Sequence, residues 1–408
     1  MRGFPPTTCH SSPLKQLKQF FVSPPTKNSI YVTTSMEITL SWQDVGVYNA
    51  WLSFKHVVSN SLIHSNLLTY LRSIPLQTYS PMASGLLQRL LHLTIFRSPF
   101  LRTAVPGVAA AFALQTAVAV PSILAQSERF YDASGSVTFL SVTLLSLYLP
   151  SLRTRAAASL AGLPKPPLPS LLNTFTGAAG GFHWRQAVLS AAVVFWSVRL
   201  GSYLFRRILH EGTDSRFDTI RGEPAKFAGA FVGQATWVSL CLAPVIAVNA
   251  VPPAALAAVA LRATDVLGLA LFVGGFAFEI VADRQKGRWL SRRKDKLHDE
   301  PFMTEGLWSR SQFPNYFGEC TLWTGIATMA AGVLLTRPVQ VGLGFSGGLV
   351  SKAFTLALSF VSPAFVSFLL LKVTGVPLSE KKYNAKYGHR KDYQEWKQNT
   401  PKFFPKLF

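Results

Sequence analysis

The sequence predicts an all-α polytopic membrane protein with about seven transmembrane helices. Three observations support this fold class: the composition, the spacing of apolar stretches and the distribution of basic residues. Of the 408 residues, 49% are hydrophobic and only 14% are charged, whereas a soluble domain has roughly 25% charged residues. This composition excludes a disordered chain, which would be poor in apolar residues, and it argues against a soluble enzyme.

Seven apolar stretches are long enough to cross the hydrocarbon core of a bilayer, which takes roughly 20 residues of α-helix. Several of them contain Gly, Ala and Pro, which is typical of helices that pack against one another in lipid. A buried helix of a soluble core is the alternative for any single stretch, but it does not explain all seven together. They lie at 104–126, 133–152, 186–204, 228–250, 264–282, 316–335 and 353–373.

The basic residues orient these spans. With seven crossings, the loops 127–132, 205–227 and 284–315 and the tail 374–408 lie on one side and carry 22 Lys and Arg residues, against seven on the other side. Because cytoplasmic loops carry the excess of Lys and Arg, the first side is predicted to face the cytosol or a mitochondrial matrix. The net charge of +21 is therefore largely topogenic, and nucleic acid is not expected as a partner.

The N-terminal part has a different composition. Residues 1–81 are rich in Ser, Thr and Pro, which predicts a poorly ordered extension. Residues 82–103 begin with Met82 and contain three arginines and no acid, which is typical of a basic amphipathic segment at a membrane surface or of a mitochondrial presequence. Residues 104–408 form the predicted membrane domain. Neither the three cysteines nor the eight histidines show metal-ligand spacing, so no metal is expected.

On the basic side, polar blocks follow the third and the fifth spans. WSVRLGSYLFRR and HEGTDSRFDTIR place an Arg-rich segment after the third span, and FEIVADRQK ends the fifth. Glu279 and Asp283 are four residues apart and therefore share a helix face, with Lys286 close to the same side. Ionisable groups at a membrane edge are costly, so we interpret these blocks as functional.

Two further blocks complete the set. GLWSRSQFPNYFGE leads into the sixth span, and its Asn315, Tyr316 and Glu319 lie around one helical turn. The tail PLSEKKYNAKYGHRKDYQEWKQNTPKFFPKLF mixes tyrosines with Lys and Arg. A loop that only orients the chain does not require an Asn-Tyr pair and a glutamate at the membrane edge, so a functional role is the better interpretation.

These blocks, together with QATWVSLCLAPVIAVN, resemble the steroid 5-alpha-reductase superfamily. They are most similar to its broad branch, a domain of unknown function found in bacteria, fungi and plants. The resemblance covers about residues 104 to 408. It implies a seven-helix membrane reductase whose C-terminal half and cytosolic loops bind NADPH. It also implies the endoplasmic reticulum as location, although the basic stretch after Met82 leaves a mitochondrial membrane open.

The resemblance implies roles for particular residues. Glu279 stands where steroid reductases commonly have Asn, and the turn that commonly reads SRHPNYFGE has lost its Arg and His here, with Arg310 as the nearest substitute. Tyr316 and Glu319 are the predicted catalytic residues. The predicted cofactor-binding residues are Arg199, Asp214, Arg216, Glu279, Asp283, Lys286, Arg310, Asn315, Tyr383, Tyr387 and Tyr393.

The expected activity is reduction of a conjugated C=C bond in a hydrophobic substrate such as a sterol, an enone lipid or an acyl chain. Tyr316 or a tail tyrosine would donate to the developing enolate oxygen, and Glu319 would orient that donor. One alternative is a membrane methyltransferase of the isoprenylcysteine or phospholipid type that uses S-adenosylmethionine. The other is a non-enzymatic membrane scaffold with the same fold.

Overall fold

The computed structural model describes residues 91, 94 and 96–406 of the chain. The predicted extension 1–81 and most of the predicted segment 82–103 lie outside the described residues. Residues 99–103 form the first turn of a long helix. Within the described part, the chain is built from helices, and its only extended pairing is an isolated bridge between Ser170 and Gly181.

Nine helices of nine or more residues organise the described part of the chain. Proline lies in the first turn of several of them, where its missing N–H is not needed for helical hydrogen bonds. The helices are α1 Pro99–Leu124, α2 Tyr131–Leu160, α3 Trp184–Glu211, α4 Pro224–Asn249, α5 Ala263–Lys294, α6 Pro314–Leu334, α7 Leu349–Phe368, α8 Val376–Tyr387 and α9 Lys391–Asn399.

Six helical segments in the described residues are long and apolar enough to cross a membrane. They are α1 to α5 and the continuous segment Leu349–Tyr387, in which a π-helical turn joins α7 to α8. The predicted fold class, an all-α polytopic membrane protein, is confirmed. One of the seven predicted stretches, 316–335, forms α6 and is not apolar enough to be counted among these six segments.

The position of α6 explains its lower hydropathy. It lies antiparallel to α5 along its whole length, so it crosses the same depth. The two backbones touch at glycines: a Cβ at Gly268 would lie 2.7 Å from the carbonyl oxygen of Gly325, and one at Gly275 would lie 2.7 Å from that of Gly318. Because most of α6 is buried against other helices, it has little need for apolar side chains that face lipid.

The helix ends define two borders of the bundle. At the basic border, α3 and α5 end, α6 begins, and the loop 125–130 and the tail after α7 are found. At the opposite border, α3 and α5 begin and the connections 161–183, 250–262 and 335–348 are found. The basic loops therefore share one border, as the charge count predicts. Between the borders, Trp196, Trp237 and Trp323 pack around Phe139 in the core.

Candidate cofactor and substrate site at the basic border

A cleft lies at the basic border between α5, the start of α6 and the tail helices α8 and α9. Its cavity volume is about 40 Å³, and it is partly open to solvent. Aromatic rings form most of its walls, and one lysine and one glutamate face it. The lining residues are Lys286, Met303, Trp308, Gln312, Phe313, Asn315, Tyr316, Ser379, Glu380, Tyr383, Tyr393 and Trp396.

The short helix Leu307–Arg310 closes one side of the cleft against α5. The indole N–H of Trp308 donates to the carbonyl of Ala282 (3.0 Å), and the side-chain oxygen of Gln285 accepts from the backbone N–H of Leu307 (2.9 Å). This packing brings the ammonium of Lys286 to 4.5 Å from the Trp308 ring centre. Lys286 is thus a half-buried cation held against an aromatic wall.

The first turn of α6 supplies the polar groups of the cleft. Pro314 starts the helix, so Asn315 and Tyr316 follow in its first turn. The Tyr316 ring is stacked on Phe313, with ring centres 5.5 Å apart, and Ser379 lies near its hydroxyl. The side-chain oxygen of Asn315 is buried and has no hydrogen-bond partner among the described residues. An unsatisfied buried acceptor is costly, so this oxygen is open to a donor from outside the described residues.

The tail supplies the third wall through an aromatic cluster. Phe302, Tyr383, Tyr387, Tyr393 and Trp396 pack together. The hydroxyl of Tyr393 donates to Asn384 (3.0 Å). Burial raises the pKa of Tyr393, so its phenol remains protonated at neutral pH and keeps this donor role. Tyr383 and Tyr393 face the cleft, whereas Tyr387 packs behind them beside Arg293.

Gln312 fixes the tail over the cleft. Its side-chain amide donates to the carbonyls of Lys397 (2.9 Å) and Thr400 (2.7 Å), and its backbone N–H donates to Pro401 (2.9 Å). The hydroxyl of Ser311 donates to the carbonyl of Phe403. The turn at residues 311–313 therefore has a structural role: it anchors residues 397–403 of the tail.

Next to the cleft, a bridge joins α3 to α5. The guanidinium of Arg199 donates to both Glu279 and Asp283, which share a face of α5 as their spacing predicts. The second carboxylate oxygen of Glu279 is buried and has no partner among the described residues. Arg199 is therefore neutralised by its own chain, and its role as a phosphate ligand remains a prediction.

Glu319 lies beside this bridge, one turn after Tyr316 on α6. A Cβ at the preceding Gly318 would lie only 2.7 Å from the backbone nitrogen of Glu279, so α5 and α6 are in contact at this level. The carboxylate of Glu319 is half-buried, and the charges that act on it come from Glu279, Asp283 and Arg199. No hydrogen bond or ion pair holds it within the described part of the chain, so it is available to a ligand.

Asp214 and Arg216 belong to a separate network after α3. Arg216 donates to Asp214 (2.6 Å) and to Asp132 (2.9 Å), and Arg221 donates to Glu128 (2.6 Å). We call these residues the loop clasp, because they join the 212–223 loop to the loop before α2 and to the first turn of α2. The two arginines bind carboxylates of their own chain and do not line the cleft.

Charge and hydrogen bonding shift the pKa values of the clasp. Burial alone would raise the pKa of Glu128, but hydrogen bonds from Arg221 and from the Asp214 backbone outweigh it and lower that pKa. The pKa of Asp214 is lowered in the same way by Arg216 against the effect of burial. Both groups are therefore ionised at neutral pH, which fits a structural role.

The structure thus brings some of the predicted residues together and separates others. Lys286, Asn315, Tyr316, Tyr383 and Tyr393 line the cleft. The bridge residues and Glu319 lie beside it, and Tyr387 lies behind it. Asp214, Arg216 and Arg310 do not line it. The charge of Arg216 still acts on the Tyr316 hydroxyl, and Arg310 is exposed, with its backbone carbonyl bonded to the tail.

Sequence reasoning missed several residues of the cleft. Trp308 and Gln312 stand inside the quoted GLW…PNYFGE block, so their position in the motif could have indicated them. Ser379 and Trp396 gave no signal, because nothing in the tail shows which residues fold back onto α6. No group of three or more His, Cys, Asp or Glu side chains that could hold a metal ion was found in the described ranges.

Comparison with known proteins gives one family. The family described as "Protein of unknown function (DUF1295)" matches residues 164–344 and 345–400. No curated protein and no solved structure matches the chain. The matched residues contain α3 to α9 and with them every wall of the cleft. Because the match covers more than half of the sequence, this membrane protein belongs to the DUF1295 family.

Proposed function

We propose that the chain is an integral membrane reductase that uses NADPH to reduce a conjugated C=C bond in a hydrophobic substrate. The observation that carries the proposal is the aromatic cleft at the basic border, which has a buried amide acceptor and adjoins an unpaired carboxylate. The resemblance of the family blocks to the steroid 5-alpha-reductase superfamily supports the same reaction class. The cleft and the carboxylate beside it lie at the membrane border, where a hydrophobic substrate dissolved in the bilayer could reach them.

The residue types of the cleft offer what a dinucleotide requires, namely stacking faces, positive charge and a hydrogen-bond acceptor. The rings of Trp308, Tyr383 and Trp396 offer stacking faces for a base. Lys286, with Lys382 near it, offers positive charge to a phosphate. The unpaired oxygen of Asn315 would accept a hydrogen bond from an amide or an exocyclic amine. Arg199 and Arg216 are occupied by carboxylates, so in this proposal they position other groups.

NADPH, when bound, would supply a hydride to an electron-poor double bond. The chain itself would align and polarise the substrate. The hydroxyl of Tyr316, oriented by Ser379, would donate to the substrate oxygen on which negative charge develops. Glu319 lies one turn further along α6 and would hold or transfer a proton at that end of the site. The Arg199 bridge would keep α3 and α5 in register around these groups.

The cofactor assignment can be tested with the full-length chain in lipid nanodiscs. NADPH is expected to raise its thermal stability, because a ligand at about one hundred times its Kd contributes roughly 2.7 kcal/mol. S-adenosylmethionine is expected to have no effect. Asn315→Ala and Asp283→Ala should weaken the NADPH effect, whereas Asn173→Ala, on the opposite border, should keep it. Stabilisation by S-adenosylmethionine alone would replace the reductase with a methyltransferase.

A further inference from the structure

The connection between α2 and α3, at the opposite border, is unusually poor in charge. It runs from residue 161 to residue 183, and Lys165 is its only charged residue. A soluble sequence of this length has about six charged residues. The shorter loop 212–223 at the basic border has five. The composition of the connection is therefore typical of a segment in contact with lipid.

This connection returns along the side of α2. Gly162, which is in the left-handed conformation, reverses the chain just after the helix ends. The carbonyl of Pro166 then accepts from the guanidinium of Arg155, and the Phe182 ring packs on Tyr148 with ring centres 5.0 Å apart. These two partners lie about 8 Å and about 18 Å before the end of α2. Both ends of the connection thus lie beside α2, at depths that the bundle itself occupies.

The second half of the connection, residues 170–182, is a compact hairpin. The backbone N–H of Ser170 donates to the carbonyl of Gly180 (2.9 Å). The hydroxyl of Thr174 accepts from the backbone N–H of Phe182 (2.7 Å). Because Phe182 comes two residues before α3 begins, the hairpin lies at the level of the start of α3. Its internal hydrogen bonds suit a segment that is partly removed from water.

The hairpin presents large apolar side chains on its outside. Leu172 and Phe175 are three residues apart on its short helix, Leu171–Thr176, and therefore share a face. They are 70% and 62% exposed. Leu168, just before the hairpin, and Trp184, the first residue of α3, are also exposed. Tryptophan is enriched at the level of the lipid headgroups, which is consistent with this depth.

Continuity with the lipid-facing surface of the bundle identifies what covers this face. The outer sides of α2 and α3 also expose large apolar side chains, such as Leu144 and Phe195, which meet hydrocarbon in a membrane. The same leaflet surrounds the hairpin, which is fixed beside α2. Short amphipathic segments in this position bury their apolar side chains about 5–10 Å into the boundary between headgroups and acyl chains. Lys165 is exposed and can reach the headgroups.

We propose that the connection 161–183 lies in the headgroup region of the bilayer leaflet at the opposite border, with Leu172 and Phe175 inserted between the lipids. It would act as an anchor that fixes the depth of α2 and α3 in the membrane. The proposal does not depend on the proposed reductase. A protein bound to the proline-rich run 163–169 is the other way to cover this face, and the experiment separates the two.

Fluorescence quenching of a label on the hairpin tests the insertion in lipid nanodiscs. The full-length chain carries one introduced cysteine, Leu172→Cys or Phe175→Cys, which is labelled with the environment-sensitive dye NBD. Cys9 is replaced by Ser in these variants, whereas Cys241 and Cys320 are buried and can stay. Nitroxide-labelled phospholipid quenches the dye from the bilayer, and iodide quenches it from water.

Two exposed positions provide the references. Val266→Cys, at the start of α5, represents the lipid-facing surface, and Asp218→Cys, in the loop 212–223, represents water. We expect the labels on the hairpin to be quenched by nitroxide lipid as strongly as the label at Val266, and by iodide about fivefold less than the label at Asp218. Iodide quenching equal to that at Asp218 would overturn the proposal and favour a protein partner for this face.

Matched variants show whether the two apolar side chains cause the insertion. With the label at Leu168→Cys, the change Leu172→Ser/Phe175→Ser should lower quenching by nitroxide lipid about threefold, because the hairpin loses its inserted groups. Ala178→Ser/Ala179→Ser adds two hydroxyls at exposed positions of the other arm and should leave the quenching unchanged. An equal loss in both double variants, or no loss in either, would contradict the assignment.

Discussion

Two arginine bridges join α3 to α5, one at each border, and they differ in how fully their atoms are paired. Arg185 at the opposite border is 0% exposed. It donates to both oxygens of Asp265 and to the carbonyls of Val259 (2.9 Å) and Ala260 (2.7 Å). Asp265 in turn accepts from the backbone N–H of Arg262. All three guanidinium nitrogens and both carboxylate oxygens of this bridge are hydrogen-bonded.

The bridge at the basic border is less complete. Arg199 and Asp283 are each 21% exposed at the side chain, one oxygen of Glu279 is buried without a partner, and Glu319 lies beside them unpaired. A fully paired buried bridge has no capacity left for a ligand. The incompletely paired bridge lies next to a cleft and carries unused polar atoms, and this contrast supports the proposed site at the basic border.

The largest effect is expected from breaking the complete bridge. Arg185→Met should lower the free energy of unfolding by about 4 kcal/mol, because it leaves Asp265 buried without a counter-charge. Denaturant unfolding in nanodiscs measures this loss. The double variant Arg185→Met/Asp265→Leu should recover most of it, since an apolar pair can replace a buried ion pair. If Arg185→Met lost less unfolding free energy than Arg199→Met, the comparison of the two bridges would be contradicted.

Arg199→Met should cost less, about 2 kcal/mol, because one of its two partners, Asp283, is partly exposed and can be rehydrated. The same unfolding measurement applies. We also expect this variant to lose stabilisation by NADPH, whereas Arg185→Met/Asp265→Leu should retain it. Retained NADPH stabilisation in Arg199→Met would show that the incomplete bridge is structural, like its counterpart.

Acid should weaken the loop clasp at the basic border. The folded-state pKa values of Glu128 and Asp214 are lowered, so their stabilisation is fully present above the usual carboxyl range and is lost as the pH falls through the lowered values, below about pH 4. Thermal unfolding in nanodiscs between pH 7 and pH 3 should show this loss. Glu128→Gln should make this loss of thermal stability smaller. Glu223→Gln, which changes an exposed pair with Lys226, should leave the loss unchanged.

The smallest effect concerns the tail. Gln312→Ala removes two hydrogen bonds to the tail, and it should lower the free energy of unfolding by about 1 kcal/mol. Limited proteolysis should then cut the chain after residue 390 faster than in the native protein. Gln394→Ala is the matched control, because its exposed amide bonds only to Gly388. Unchanged cleavage in Gln312→Ala would mean that the aromatic cluster alone holds the tail.

Much of the fold was predictable because membrane crossing leaves a strong signal in one dimension. The apolar stretches gave the start of each helix to within about five residues, whereas α2, α3 and α5 end about 7 to 12 residues later than the predicted spans. The Lys and Arg count placed the basic loops at one border. The i, i+4 spacing of Glu279 and Asp283 predicted their shared face, which Arg199 occupies. The lower hydropathy of α6 is visible in the sequence, but its cause, burial against α5, depends on glycine contacts between distant segments.

The candidate site was predictable only in part, because it depends on contacts between residues that are far apart in the sequence. A motif shows that Arg216 is near the border, but whether an arginine meets a ligand or a carboxylate of its own chain depends on the partner, here Asp132, some 80 positions away. The replacement of an expected Arg by Gln312 was visible, whereas its bond to the tail was not. The sequence shows Arg185 only as a single arginine, so its hydrogen-bond partners could not be predicted.

Hydrogen–deuterium exchange of the full-length chain in nanodiscs, with and without NADPH, tests the central claim most directly, because it reads both borders in one experiment. NADPH is expected to protect amides of residues 303–319 and 379–396, which form the cleft, and to leave those of residues 250–262 at the opposite border unchanged. Protection confined to the opposite border, or no protection by NADPH at either border, would contradict the account.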